Sequence, residues 1–107
     1  MLINQSVSPK QPDEQTRYGG DWRARLSYFP GVTIATSSWS LVPGSDGALS
    51  IGGSAISVDG TQTSALFTGG TAGTVYTVKN SVTLSDGQVW HGYGVLEVAS
   101  EATLLRL

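Results

Sequence analysis

The side chain best suited to proton transfer near neutral pH is the single histidine, His91. A catalytic base needs an orienting partner and a nucleophile within reach. His91 falls mid-strand in the reading below, with no carboxylate beside it, and none of the many serines sits in a Gly-x-Ser-x-Gly elbow. Hydrolytic chemistry is therefore disfavoured. The run Gly69-Gly70-Thr71-Ala72-Gly73-Thr74 is glycine-rich, but it lacks the lysine of a phosphate loop and leads into a strand where that motif needs a helix. Asp46, Asp59 and Asp86 each precede a glycine, first of all a hairpin-turn signal. None belongs to the spaced Asp/Asn array with a closing Glu that calcium requires. With no cysteine, neither a disulfide nor a thiolate metal site is available. No catalytic residue, cofactor or metal site is expected.

Three tryptophans and four tyrosines raise a different chemistry, the stacking of amphipathic rings on sugar faces. Trp22, Trp39 and Trp90 all fall on the apolar sides of their segments, which makes them core residues. Tyr93 and His91, with Tyr18 and Phe29 near turns, remain as exposed candidates.

The elements that would position these residues are strands. Residues 1–20 contain Pro9, Pro12 and Gly19-Gly20, with no sustained period of 2 or 3.6. They read either as a mobile tail or as a docking arm whose Leu2, Ile3 and Val7 add a short apolar strand to a partner's sheet edge. From Asp21 to Tyr28 the pattern is period 2, placing Trp22, Ala24, Leu26 and Tyr28 on one side of a first strand. Phe29-Pro30-Gly31 follows as a type II turn. Val32–Val42 forms a second strand, with Ile34 out of phase with Trp39 and Leu41, so a bulge or a change of sheet is required. After the turn at 43–47 come two short strands, one at Leu49 and Ile51 and one at Ala55, Ile56 and Val58, then another over 61–68. The tail from Ala99 to Leu107 is a last helical turn or an extended end that packs through its leucines.

The closing hairpin permits a register test. A two-residue loop at Asp86-Gly87 sets Trp90 opposite Thr83 and mixes large apolar groups with Lys79 and Ser81. A three-residue loop, Ser85-Asp86-Gly87 with Gly87 left-handed, sets Trp90 opposite Val82, Leu96 opposite Tyr76 and Val98 opposite Thr74. The second register gathers the apolar residues on one face and is preferred. It leaves Lys79, His91, Tyr93 and Val95 on the other.

With 107 residues, 39% hydrophobic and 13% charged, the chain has the length of one domain, able to bury about two-thirds of its unfolded surface. The net charge of −2 contains no basic run that could follow a phosphate backbone, so nucleic acid is disfavoured as a partner. No segment has the length of a membrane span, and the first residues lack the basic and apolar regions of a secretion signal. The sequon Asn4-Gln5-Ser6 then has no route to glycosylation.

Gly73-Thr74-Val75-Tyr76-Thr77-Val78 resembles the start of the penultimate strand in immunoglobulin-like and fibronectin type III sandwiches. The resemblance implies that the Tyr76 hydroxyl ties back to the preceding loop. A narrower resemblance covers most of the chain from Tyr18 onward. It rests on Gly20-Asp21-Trp22, Ile34-Ala35-Thr36-Ser37-Ser38-Trp39, the run from Gly69 to Asn80, and Ser85-Asp86-Gly87. These segments together are similar to the tailed-phage fiber-tail adaptors, departing at Trp90-His91-Gly92-Tyr93-Gly94, where the family carries a charged segment.

That resemblance implies a non-enzymatic virion protein, made in the host cytoplasm, that joins tail fibres to the tail or baseplate. Its partners would be other phage structural proteins in a multi-copy symmetric assembly. The expectation is an all-β, immunoglobulin-like sandwich of about seven strands over residues 21–107, with an arm over 1–20. The expected protein contacts are Leu2, Ile3, Val7, Tyr18, Phe29, Lys79, His91 and Tyr93. The alternatives are a carbohydrate-binding or host-surface adhesion module, and an immunoglobulin-like domain of a longer adhesin.

Overall fold

The computed structural model describes residues 9–44 and 46–100. Leu2, Ile3 and Val7, and the tail beyond Ser100, lie outside the described residues. The elements are β1 (Gln15–Asp21), α1 (Arg23–Leu26), β2 (Ile34–Leu41), β3 (Leu49–Ile56), β4 (Gln62–Gly69), β5 (Thr74–Leu84) and β6 (Val89–Val98). They form two three-stranded sheets, β1-β4-β3 and β2-β5-β6, with every strand pairing antiparallel. The protein is an all-β sandwich, with six strands among the described residues. Its strand order corresponds to B-E-D facing C-F-G in an immunoglobulin sandwich.

The β5–β6 hairpin adopts the three-residue-loop register. Val82 faces Trp90, Tyr76 faces Leu96 and Thr74 faces Val98. Gly87, at φ 94, occupies the left-handed position that other residues reach only with strain. The turn at Phe29–Val32 also forms as expected, with Gly31 at φ 83 and the Val32 N–H donating to the Phe29 carbonyl at 3.1 Å. The phase problem of β2 is solved by a bulge between Ile34 and Thr36. The Tyr76 hydroxyl accepts the Thr71 N–H at 2.8 Å and donates to Asp46 Oδ1 at 2.9 Å, tying the strand to the loop before it.

Three expectations are corrected. The segment from Asp21 to Tyr28 is no strand: Arg23–Leu26 is one turn of helix, with the Leu26 N–H donating to the Trp22 carbonyl at 2.9 Å. Trp22 and Leu26 are both buried, and a separation of four satisfies period 2 and period 3.6 alike. The positions that distinguish the two are Ala24, exposed, and Tyr28, 81% exposed. Second, the ordered fold begins before residue 21. Gln15–Asp21 pairs with β4 as β1, and Lys10 is fully buried, its Nζ donating to the carbonyls of Gln11 and Gly69 at 2.6 Å each.

Gly19, which reads as a chain breaker, sits inside β1 because a Cβ there would lie 2.5 Å from the Thr63 carbonyl oxygen. Third, the two short strands around Leu49–Val58 are a single strand, β3, with a register irregularity between Gly52 and Ala55. Val58 lies beyond it in a turn and is fully exposed.

The core between the sheets is in two parts. One gathers Leu49, Ala65, Phe67, Tyr76, Val78, Leu96 and Val98. The other gathers Trp22, Leu26, Ile34, Val82, Leu84 and Trp90. Between them lies a polar cluster: Trp22 Nε1–H and Thr63 Oγ1–H both donate to Asn80 Oδ1, at 3.1 and 2.6 Å. The Asn80 amide donates to Ser37 Oγ and the Ser38 carbonyl, each at 2.9 Å. Asn80 is fully buried, and its bonds cross from β5 to β2 and to the opposite sheet.

The three Asp-Gly aspartates close turns, as their dipeptides suggest. Asp46, Asp59 and Asp86 accept the N–H two residues on, from Ala48, Thr61 and Gln88, at 3.0, 3.3 and 3.1 Å. For Asp46 this amide bond is the largest of the influences that hold the carboxyl below its ordinary value. Bonds from the Ser57 and Gln88 side chains lead for Asp59 and Asp86, with the same sign. At the start of α1 the Arg23 guanidinium pulls Asp21 from 3.8 down to about 2.

Replacing Asn80 by Val removes the buried acceptor of the Thr63 hydroxyl, leaves Trp22 Nε1–H only its 3.3 Å bond to Thr63 Oγ1, and lowers unfolding free energy by about 1–3 kcal/mol, measurable by urea denaturation. All four aspartates have folded values below their unfolded ones, so their contribution to stability is present above 3.8. It is lost as the pH falls towards about 2, where Asp21 takes its proton. A urea midpoint that is level above pH 5 and declines below about pH 4 is the expected profile.

Candidate interaction surfaces

The same register that buries Trp90 turns the intervening residues of β5 and β6 outwards. Across the sheet they form rows: Thr36, Thr83 and Val89; Ser38, Ser81 and His91; Ser40, Lys79 and Tyr93. The β2 contribution is small and hydroxylic, and Thr36, Ser38 and Ser40 are all exposed. The β6 contribution is larger: Tyr93 is 41% exposed and Val89 58%, with Val75 of β5 also at 58%. Lys79 is half-buried directly opposite Tyr93. The face is flat, sparsely charged and partly apolar, the character of a protein-contact surface rather than of a cleft.

His91 Nδ1 lies 2.9 Å from Ser81 Oγ. The pair follows from the hairpin register, although the sequence reading did not draw it. It is not an activated nucleophile: among the described residues no carboxylate bonds to the imidazole, and the open sheet face supplies no converging N–H groups for an oxyanion. The described residues contain no group of three or more His, Cys, Asp or Glu able to hold a metal ion, and no helix long and apolar enough to cross a membrane.

A second surface is formed at one end of the sandwich. The 22–34 excursion leaves and rejoins the fold beside the β3–β4 turn, through Trp22 N–H to the Thr61 carbonyl and Ile34 N–H to the Gly60 carbonyl, at 3.0 and 2.8 Å. The β5–β6 turn joins it through Ser85 N–H to the Thr33 carbonyl at 2.8 Å. Tyr28, Phe29 and Val58 are exposed here. Phe29 is seated with its ring 5.5 Å from Trp90, and the Arg25 guanidinium lies 4.1 Å over the Trp90 ring. This end therefore has a fixed base with apolar side chains projecting from it.

The structure brings Lys79, His91 and Tyr93 onto one face and puts Phe29 at the end. Tyr18 stands apart on β1 in the opposite sheet, half-buried, with its ring edge-on to Phe67 at 5.6 Å. Trp22 and Trp90 are buried, and Trp39 packs half-buried against Phe67 at 5.7 Å, so the tryptophans form no exposed sugar-stacking platform. Tyr28 and Val58 escaped the sequence reading because both were assigned to strands. Their turn positions depend on Pro30-Gly31 and Asp59-Gly60, signals present in the sequence.

Tyr93→Ala and His91→Ala, on the outer face, change stability by less than about 0.5 kcal/mol, whereas Trp90→Ala costs about 3–5 kcal/mol by emptying the core beneath Phe29 and Arg25. Urea denaturation of the three variants distinguishes residues free for binding from those that hold the fold.

No curated relative matches the chain. Residues 10–92 match the family model described as podophage GP4 fiber-tail adaptor protein gp77, a span from the buried Lys10 to the middle of β6. That span covers most of the sandwich, and with it the chain belongs to the podophage fiber-tail adaptor family, virion structural proteins of the phage tail.

Proposed function

We propose that this domain joins tail fibres to the tail or baseplate by holding one protein partner on the outer face of β2-β5-β6 and another on the loop end. The observation that carries this reading is the sorting of the exposed large apolar residues into two sets. Val75, Val89 and Tyr93 stand on the sheet face, and Tyr28, Phe29 and Val58 stand on the loops. An adaptor needs two adhesive surfaces on one rigid body, and exposed apolar groups on a monomer mark such surfaces. Lys79 and His91 supply polar contacts within the first set. Several copies arranged with the symmetry of the tail would convert modest contacts per domain into stable attachment. The mechanism is recognition and load-bearing, with no bond made or broken.

The test is co-elution of the purified domain with recombinant tail and fibre proteins of the same phage. The wild type forms a complex with each. Lys79→Glu combined with Tyr93→Ser abolishes one complex and spares the other, and Tyr28→Ser combined with Val58→Ser does the reverse. Folded variants that retain both complexes, or a wild type that binds neither partner, would overturn the reading.

A further inference from the structure

Two arginines two positions apart are held differently at the loop end. Arg23 is paired within the chain, its Nε–H donating to Asp21 Oδ1 at 2.9 Å and its Nη2–H to Asp21 Oδ2 at 2.6 Å. Arg25 is exposed, and its guanidinium lies over the Trp90 ring, 4.1 Å from the centroid. Phe29 packs against the same ring at 5.5 Å. The Tyr28 N–H donates to the Arg25 carbonyl at 3.3 Å, which sets the exposed Tyr28 one helical turn from Arg25. The acids of this end are engaged in their own turns. Asp59 accepts from Ser57 Oγ–H and Thr61 Oγ1–H at 2.6 and 2.8 Å, and Asp86 from the Gln88 N–H and side-chain amide at 3.1 and 2.7 Å. Among the described residues the one ion pair is that of Arg23 with Asp21.

We propose that Arg25 is the anchor of the loop-end surface, and that it receives a carboxylate of the protein partner: an Asp or Glu whose apolar neighbour rests on Tyr28 and Val58. The proposal rests on the adaptor reading and adds to it the chemistry of one partner. A guanidinium carries its N–H donors in its own plane, directed outwards from its edge, so one held over a ring can still give two of them to a single carboxylate. The ring beneath also fixes the group in place. Docking then removes little further side-chain freedom, which is the usual cost of using a long cation at an interface.

The surroundings select the partner's charge and its size. Tyr28 is 81% exposed and Val58 fully exposed, and a partner that covers them keeps water from the ion pair and strengthens it. Asp59 and Asp86 place two negative charges at the same end. Against them a doubly charged phosphate or a nucleic-acid backbone is disfavoured, whereas one carboxylate matches one guanidinium.

The test uses the full chain and the recombinant tail or fibre protein whose complex depends on Tyr28 and Val58. Arg25→Met, which keeps an apolar stem over Trp90, weakens that complex at least about 10-fold and leaves the sheet-face complex unchanged, which shows the variant to be folded. Arg25→Lys keeps the charge without the planar fork and weakens it at least about 3-fold. Each Asp and Glu of the partner is then changed to Asn or Gln. For one of them the loss does not add to that of Arg25→Met, and the double variant binds about as weakly as either single one. Full affinity in Arg25→Met or Arg25→Lys, or additive losses with every partner carboxylate, would overturn this proposal and leave the adaptor reading standing. A wild type that binds neither protein overturns both.

Discussion

The sandwich depends on Asn80. Apolar contacts alone fix the separation of two sheets better than their alignment, because dispersion and hydrophobic burial are nearly indifferent to a small slide. The Asn80 amide removes that freedom by accepting from Trp22 and Thr63 on one side and donating to Ser37 and Ser38 on the other. The Trp22, Thr63 and Asn80 groups are buried and costly to leave unpaired, so only one alignment satisfies them together. The core is divided in consequence, with an aliphatic and Phe67-centred half towards the glycine corner and a tryptophan-rich half beneath α1. Lys79 and Ser81 flank Asn80 on β5, so the residue that aligns the interior also fixes which side chains project outside.

What the sequence made legible follows from where the determining forces are local. The β5–β6 hairpin was readable to the residue, because its alternation runs the length of two strands and Gly87 permits only certain loops. The tie of Tyr76 to the loop behind it was readable through resemblance, and the bulge in β2 through the broken phase of Ile34. The first third of the chain was harder. In β1 only Tyr18 is large and apolar, and the strand exists because β4 offers it a full ladder of partners. The burial of Lys10 rests on the Gly69 carbonyl, 59 positions away, a contact with no local signature. Trp22 and Leu26 mislead because their spacing belongs to both periods, and the Asp21 carboxylate, which takes the Arg23 N–H and guanidinium, braces the start of the helical turn.

The candidate surfaces were partly legible for the same reason. Lys79, His91 and Tyr93 follow from the hairpin, so their common face was within reach. Tyr28 and Val58 were not, since their exposure comes from turns that interrupt an apparent alternation. The chain belongs to a family of structural proteins of the phage tail. Its one histidine is paired to a serine on an open sheet, and its three turn aspartates are occupied by backbone amides. Its exposed apolar groups stand on a scaffold of low charge, where contacts depend little on ionic strength.

The parallel bridge at Lys10 has a mechanical meaning. Lys10 pairs with Val98 in the same direction, its N–H donating to the Glu97 carbonyl at 3.2 Å and its carbonyl accepting the Ala99 N–H at 2.8 Å. Tension that pulls the Lys10 and Val98 segments in opposite directions along that axis falls on the two backbone hydrogen bonds between them. Such bonds are loaded together in shear, not opened one after another like a zip. The Lys10 ammonium adds a bond to the Gly69 carbonyl at the end of β4. A pull along that axis would have to break these bonds at the same moment, so the edge of β6 is held most firmly where Lys10 meets it.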